Sequence, residues 1–209
     1  GRVPLIGFAG APFTLASYAI EGGPSRHYAK TKALMYSEPK TWHALCDLFA
    51  SVVADYLVAQ IEAGAQAVQL FDSWVGALSP RDYLEFVLPH TRRILATAQA
   101  AGVPVIHFGT GTAMLLEVMS EAGGDVIGVD WRIPLDEAWK RIGHDRAVQG
   151  NLDPTLLLGP IDRMLDGAAD VLQRARGRAG HIFNLGHGIL PETSVEHVQT
   201  LARFVHQHG

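Results

Sequence analysis

HIFNLGHG, residues 181–188, is a short apolar run that breaks at once into asparagine, glycine and histidine. The same break recurs along the chain. Leu5–Phe8 runs into Ala9-Gly-Ala-Pro12, Ala67–Phe71 into Asp72-Ser73, Val105–Phe108 into Gly109-Thr-Gly111, Val126–Val129 into Asp130-Trp131, and Ala147–Gln149 into Gly150-Asn-Leu-Asp153. Continuous rather than alternating apolar runs of this length mark strands covered on both faces of a parallel sheet. A (β/α)8 barrel gathers its site from the C-terminal ends of many strands, whereas a doubly wound sheet concentrates ligands at one switch point. Polar residues at nearly every strand end therefore favour the barrel.

Helical stretches separate the runs. Pro39 to Ala63 ends at Gly64, and a second helix is capped by Ser79-Pro80 and ends near Gly102. Others are expected at Thr112–Ala122, Leu135–Ile142, Ile161–Ala175 and Ser194–His208, with a short apolar helix after the first strand. The alternation gives an α/β class with right-handed crossovers. Six units are present where a TIM-type barrel needs eight, so the reading expects one domain over 1–209 whose first two βα units precede residue 1. The Gly-Arg-Val-Pro start, without Met, reads the same way.

The chain has 209 residues, 17 Lys plus Arg against 21 Asp plus Glu, and a net charge of −4, which argues against a general nucleic-acid surface. No apolar run approaches the ~20 residues of a bilayer span, so no membrane is expected. The single cysteine, Cys46, suits a reducing cytoplasm and reads as a buried, inert thiol.

Candidate chemistry sits at the strand ends. Gly109-Thr-Gly-Thr-Ala-Met114, with Asp130 ending the next strand, imitates a dinucleotide fingerprint, but Met114 stands where the third glycine belongs. The ten histidines form no HExxH, and Cys46 has no partner at zinc-ligand spacing. His43, His90, His197, His206 and His208 read as surface residues, and His107 as a strand histidine bonded to a neighbouring strand. Ser73 lacks the glycines of a nucleophile elbow and reads as a hydrogen-bonding group at a barrel mouth. Tyr18 is either a core tyrosine bonded to backbone or a polar handle over a pocket. Gly186 and Gly188 offer His187 where something large could approach the backbone.

Gly7-Phe-Ala-Gly-Ala-Pro-Phe-Thr-Leu15, Glu21-Gly-Gly23, Gln69-Leu-Phe-Asp-Ser73, Gln149-Gly-Asn-Leu-Asp-Pro154 and Asn184-Leu-Gly-His-Gly188, in this order, resemble the motifs of the uroporphyrinogen decarboxylase family. The resemblance implies a (β/α)8 barrel that removes CO2 from the four acetate side chains of uroporphyrinogen III to give coproporphyrinogen III. It implies no metal or other cofactor, a homodimer, and Tyr18, Ser73 and His187 as substrate-binding residues. Protonating a pyrrole carbon makes the ring an electron sink into which an acetate can release its carboxylate, so the protein must stabilise a cation and hold the carboxylates in register. The family's M-R-Q-A-G-R segment and its pyrrole-binding aspartate motif do not occur here, so the catalytic groups are expected upstream of residue 1 and these residues alone are expected to be inactive. A zinc- and cobalamin-linked methyltransferase of the same superfamily is the rival. It would need an H-x-C motif where this chain has His107-Phe-Gly109. A non-catalytic tetrapyrrole-binding module is the other alternative.

Overall fold

The computed structural model describes residues 3–209; Gly1 and Arg2, with the unusual start they form, lie outside the described residues. Six strands, β1 (Ile6–Gly10), β2 (Ala67–Asp72), β3 (Val105–Gly109), β4 (Val126–Gly128), β5 (Ala147–Leu152) and β6 (His181–Leu185), follow one another in a single sheet in chain order. The pairs β1–β2, β2–β3 and β5–β6 are parallel. An order with no reversal has no switch point, which removes the doubly wound alternative. The helices are α1 (Pro12–Glu21), α2 (Ala29–Ser37), α3 (Pro39–Glu62), α4 (Pro80–Phe86), α5 (Leu88–Ala100), α6 (Leu116–Ala122), α7 (Leu135–Ile142), α8 (Ile161–Ala175) and α9 (Val195–His208). Between Ile127 and Gly128 the chain divides into two compact units.

In the first unit, Val68 and Leu70 of β2 are fully buried and join Trp42, Leu57, Phe13 and Leu95 in a core between sheet and helices. On the sheet's other face Phe8, Phe71 and Phe108 form an aromatic row with centroids 5.8 and 5.6 Å apart. The outward side of β1 is met by a side chain: the Gln60 amide accepts from Phe8 N–H at 2.8 Å and donates to Phe8 C=O at 3.0 Å. One glutamine thus satisfies both backbone groups of Phe8, at the middle of this edge.

The helix expected from Ser79 to Gly102 is two helices. Pro89 has no N–H to return to Glu85 and crowds that carbonyl, so the chain breaks at Val87 and restarts with proline in the first turn of α5. The helix expected from Thr112 begins only at Leu116, and α2 had no counterpart in the sequence reading. Against the expectation of no apolar segment of membrane length, α3 has 24 residues and is long and apolar enough to cross a membrane. Trp42, Cys46, Ala50, Val53, Ala54 and Leu57 form one buried stripe along it, and Trp42 Nε1–H donates to the Phe86 carbonyl at 2.9 Å. An apolar helix with one face in a core passes the same test as a span.

In the second unit, β5 and β6 pair from Val148↔His181 to Leu152↔Leu185. The amphipathic helices α7 and α8 cover them with Leu135, Ala138, Trp139, Met164, Ala168 and Val171.

Candidate active site

In the first unit the strand ends are tied together by backbone proximity and one buried carboxyl. Ala11 N–H donates to the Phe71 carbonyl at 2.8 Å, turning the chain from β1 into α1, where Pro12 starts the helix without needing its own donor. Thr14, one turn into α1, donates its hydroxyl to Asp72 Oδ1 at 2.8 Å and accepts from Trp74 N–H at 3.3 Å. Asp72 is fully buried and its Oδ2 has no hydrogen-bond partner. Burial pushes its carboxyl up to about 7, against the lowering effect of Thr14.

One turn beyond Thr14, Tyr18 is half exposed. Its ring lies 3.9 Å from that of Trp74, with Tyr28 on the same indole at 5.3 Å. Tyr18 is therefore not the buried core tyrosine that one reading allowed. Ser73, between Asp72 and Trp74, is half buried, and its carbonyl accepts from the Thr110 hydroxyl. At Gly76 a Cβ would stand 2.2 Å from the Thr110 carbonyl oxygen and 2.7 Å from Gly111, so only glycine lets the two loops touch. Ser73 thus belongs to a wired group of strand ends, and Tyr18 of α1 joins it through its ring contact with Trp74.

In the second unit, Gly186 N–H continues the ladder by donating to the Leu152 carbonyl at 2.8 Å. A Cβ on Gly186 would stand 2.5 Å from Trp131 N, whereas one on Gly188 meets nothing within 4 Å. Of the two glycines read as room for a ligand, Gly186 is consumed by packing and Gly188 alone faces open space. His187 between them is exposed. Because Tyr18 and Ser73 lie in one unit and His187 in the other, each is placed only within its own unit.

The matching family model is that of uroporphyrinogen decarboxylase (URO-D), over residues 1–208. The chain belongs to this family. A protein of Sorangium cellulosum named uroporphyrinogen decarboxylase is 62% identical over 206 residues, covering 99% of this chain and 59% of the relative. A Salinispora tropica protein of the same name is 58% identical over 207 residues, covering 99% of this chain and 56% of the relative. The chain thus spans less than two thirds of the length of these curated relatives. Among solved structures, a methyltransferase from Methanosarcina mazei superposes with a TM-score of 0.85 at 21% identity, over 99% of this chain and 59% of that one. That likeness shows a TIM-like α/β fold.

Within the URO-D motifs the structure gives roles that sequence reading missed. Glu21 of the Glu-Gly-Gly motif accepts from both the backbone N–H and the hydroxyl of Thr31, and the Thr31 N–H, its strongest influence, holds its carboxyl below the usual range. It pins the start of α2. Asn151 donates its amide to the Asp130 and Ile133 carbonyls at 2.9 and 2.7 Å, so it serves the loop rather than a ligand. Asp130, the supposed ribose acid, lies 2.5 Å from Arg132, and Met114 is exposed ahead of α6.

Several histidine readings need correction. His90 is buried, with Nδ1 3.0 Å from Asp47 and Nε2 2.9 Å from His43 Nδ1. His197 is half buried and bonds the Leu157 carbonyl at 2.7 Å. His107, expected to bond a neighbouring strand, is fully buried with no bond to one, and burial lowers it to about 4 against the raising effect of the Met119 and Gly123 backbone. Position 109, where the rival's thiolate would stand, has no room: a Cβ there lies 2.8 Å from the Thr112 methyl and 3.0 Å from the Asp72 carbonyl. Cys46 is buried, and burial pushes its thiol up, as expected of an inert thiol.

Proposed function

We propose that these residues form the substrate-binding part of a uroporphyrinogen decarboxylase, a (β/α)8 carboxy-lyase whose first two βα units are not among them, working as a cytoplasmic homodimer. The observation that carries this reading is the half-exposed Tyr18, whose ring lies 3.9 Å from the indole that directly follows Ser73. This ring contact supports a phenol on the helix after β1 and a hydroxyl at the end of β2 acting together, beside aromatic surface suited to a flat tetrapyrrole. His187, exposed next to open space at Gly188, adds a donor for the substrate's carboxylates.

In the proposed reaction a pyrrole carbon is protonated. The bond from the acetate methylene to its carboxylate then breaks, and the electron pair neutralises the ring cation as CO2 leaves. A proton adds to the methylene to make a methyl group, and loss of the ring proton restores the pyrrole. Tyr18, Ser73 and His187 bind and orient. Stabilisation of the cation falls to the family's arginine and aspartate motifs, which are not in this sequence. The module therefore binds without turning over, and activity belongs to a longer chain that supplies those groups.

Titrating the 209-residue chain with uroporphyrinogen tests this reading. Binding weakened by Tyr18→Phe and by His187→Asn is the expected result, and no binding would remove it. The methyltransferase reading is disfavoured by the filled space at Gly109.

A further inference from the structure

At the starts of β5 and β6, the ends of these strands remote from His187, a cavity of about 160 Å³ is lined by Asp136, Lys140, His144, Arg174, Arg176 and Arg178. Asp136 is the one acid in this lining, and Arg174 binds it at 2.9 Å while also holding Asp170 at 2.7 Å. That leaves Lys140, Arg176 and Arg178 as cations with no acid assigned to them among the described residues.

Cations at helix C-termini are ordinary, because they complement the dipole and cap carbonyls. Lys140 in the last turn of α7 and Arg174 in the last turn of α8 need no other reason. Arg178 and His144 do. Arg178 lies beyond α8 with its guanidinium 5.2 Å from the centre of the buried Trp139 ring. The His144 ring meets the same indole edge-on at 5.8 Å. Arg178 donates from Nη1 to His144 Nδ1 at 3.3 Å, which leaves the imidazole hydrogen on Nε2, free to donate elsewhere. Trp139 is itself fixed by an Nε1–H bond to the Arg146 carbonyl at 2.8 Å. Two donors are therefore held in place before any ligand arrives.

Arg176 supplies an independent sign. It ends α8 in the left-handed region at φ 55, and only one other non-glycine residue among those described, Tyr28, has positive φ. Glycine suits this position better than a long side chain does, so Arg176 holds its cation at the cavity at a conformational cost.

We infer that this cavity binds a compact, multiply charged oxyanion through Lys140, His144, Arg176 and Arg178. Guanidinium forks and an imidazole N–H match clustered phosphate or carboxylate oxygens. The site is separate from the strand-end residues assigned to the tetrapyrrole and does not depend on that assignment.

Calorimetric titration of the 209-residue chain at low salt, with inorganic diphosphate in one arm and citrate in the other, tests the inference. One-to-one binding of at least one probe is expected, and the tighter arm identifies the source as phosphate or polycarboxylate. Lys140→Gln with Arg178→Gln should weaken that binding about tenfold or more. Arg176→Gly should weaken it as well while leaving the Tm of the free protein unchanged or higher, because glycine relieves the left-handed backbone. That combination, lower affinity without lower stability, separates a ligand site from helix capping and holds even if the double variant does not fold. No binding in either arm, or affinity unchanged by Arg176→Gly, overturns the inference.

Discussion

The loop after β2 and the loop after β6 both carry a residue assigned to substrate, and they are built differently. Ser73 sits in a wired loop: Asp72 is bonded to Thr14, Trp74 to Thr14, the Ser73 carbonyl to Thr110, and Gly76 lies against the Thr110 carbonyl. His187 sits in an open loop anchored at Gly186, with Gly188 facing space. A wired loop cannot change one residue without disturbing its neighbours, whereas an open loop separates ligand binding from folding. Substitutions after β2 should cost stability and binding together, and substitutions after β6 should cost one or the other.

The largest expected effect is on the pH dependence of the wired loop. The folded Asp72 carboxyl titrates near 7, above the unfolded value of 3.8, so the folded state keeps a proton that the unfolded state has lost. Stability from this group is full below pH 3.8 and falls as pH rises towards 7, by up to about 4 kcal/mol. His107 acts in the opposite direction. Its value near 4 lies below the unfolded 6.5, so its contribution is lost as pH falls through that window. The two slopes partly cancel in the wild type, so the wild-type curve alone does not show either. The difference between Asp72→Asn and wild type does: the variant should gain stability relative to wild type as pH rises from 4 to 7, measured by urea unfolding across that range. A flat difference would mean that Asp72 is not held protonated.

Next in size is Gly76→Ala, which places a methyl against a backbone carbonyl that cannot swing away. About 3 kcal/mol of destabilisation is expected in chemical unfolding, the upper end for an overpacked site. Smaller again are the binding effects. Tyr18→Phe and His187→Asn each remove one hydrogen bond to a charged group, worth ~1.5–3 kcal/mol or about ten- to a hundredfold in uroporphyrinogen affinity. If the contrast between loops holds, His187→Asn leaves the unfolding midpoint where it was. The smallest effect belongs to Gly188→Ala, which should move stability by less than about 0.5 kcal/mol. Gly186→Ala, two residues away, should unfold readily. Equal tolerance at these two glycines would erase the distinction.

How much of this could be read from the residues follows the same division. The helices over 135–142 and 161–175 were legible to the residue because their apolar faces are strongly periodic. Helix α2 was not, because it buries only Thr31 and Met35 and its start is set by Glu21, ten residues before Thr31. The break before Pro89 had a readable signal that the longer helical pattern masked. The assignment of Tyr18, Ser73 and His187 to substrate rests on the order of the motifs and not on any local pattern. The carboxyl state of Asp72, the glutamine that closes β1 and the burial of His90 against Asp47 depend on residues 43 to 58 positions apart, beyond the reach of local pattern.

The cluster of the Tyr18, Trp74 and Tyr28 rings also has an optical consequence. Trp42 and Trp139 are fully buried, whereas the indole at position 74 lies 3.9 Å from the Tyr18 ring, so a colourless ligand settling over Tyr18 perturbs it directly. Rings this close share their excitation, and the near-ultraviolet dichroism of the protein becomes a native gauge of where the Tyr18 ring lies. Occupancy of the mouth can be followed by light alone, with no label attached to the chain.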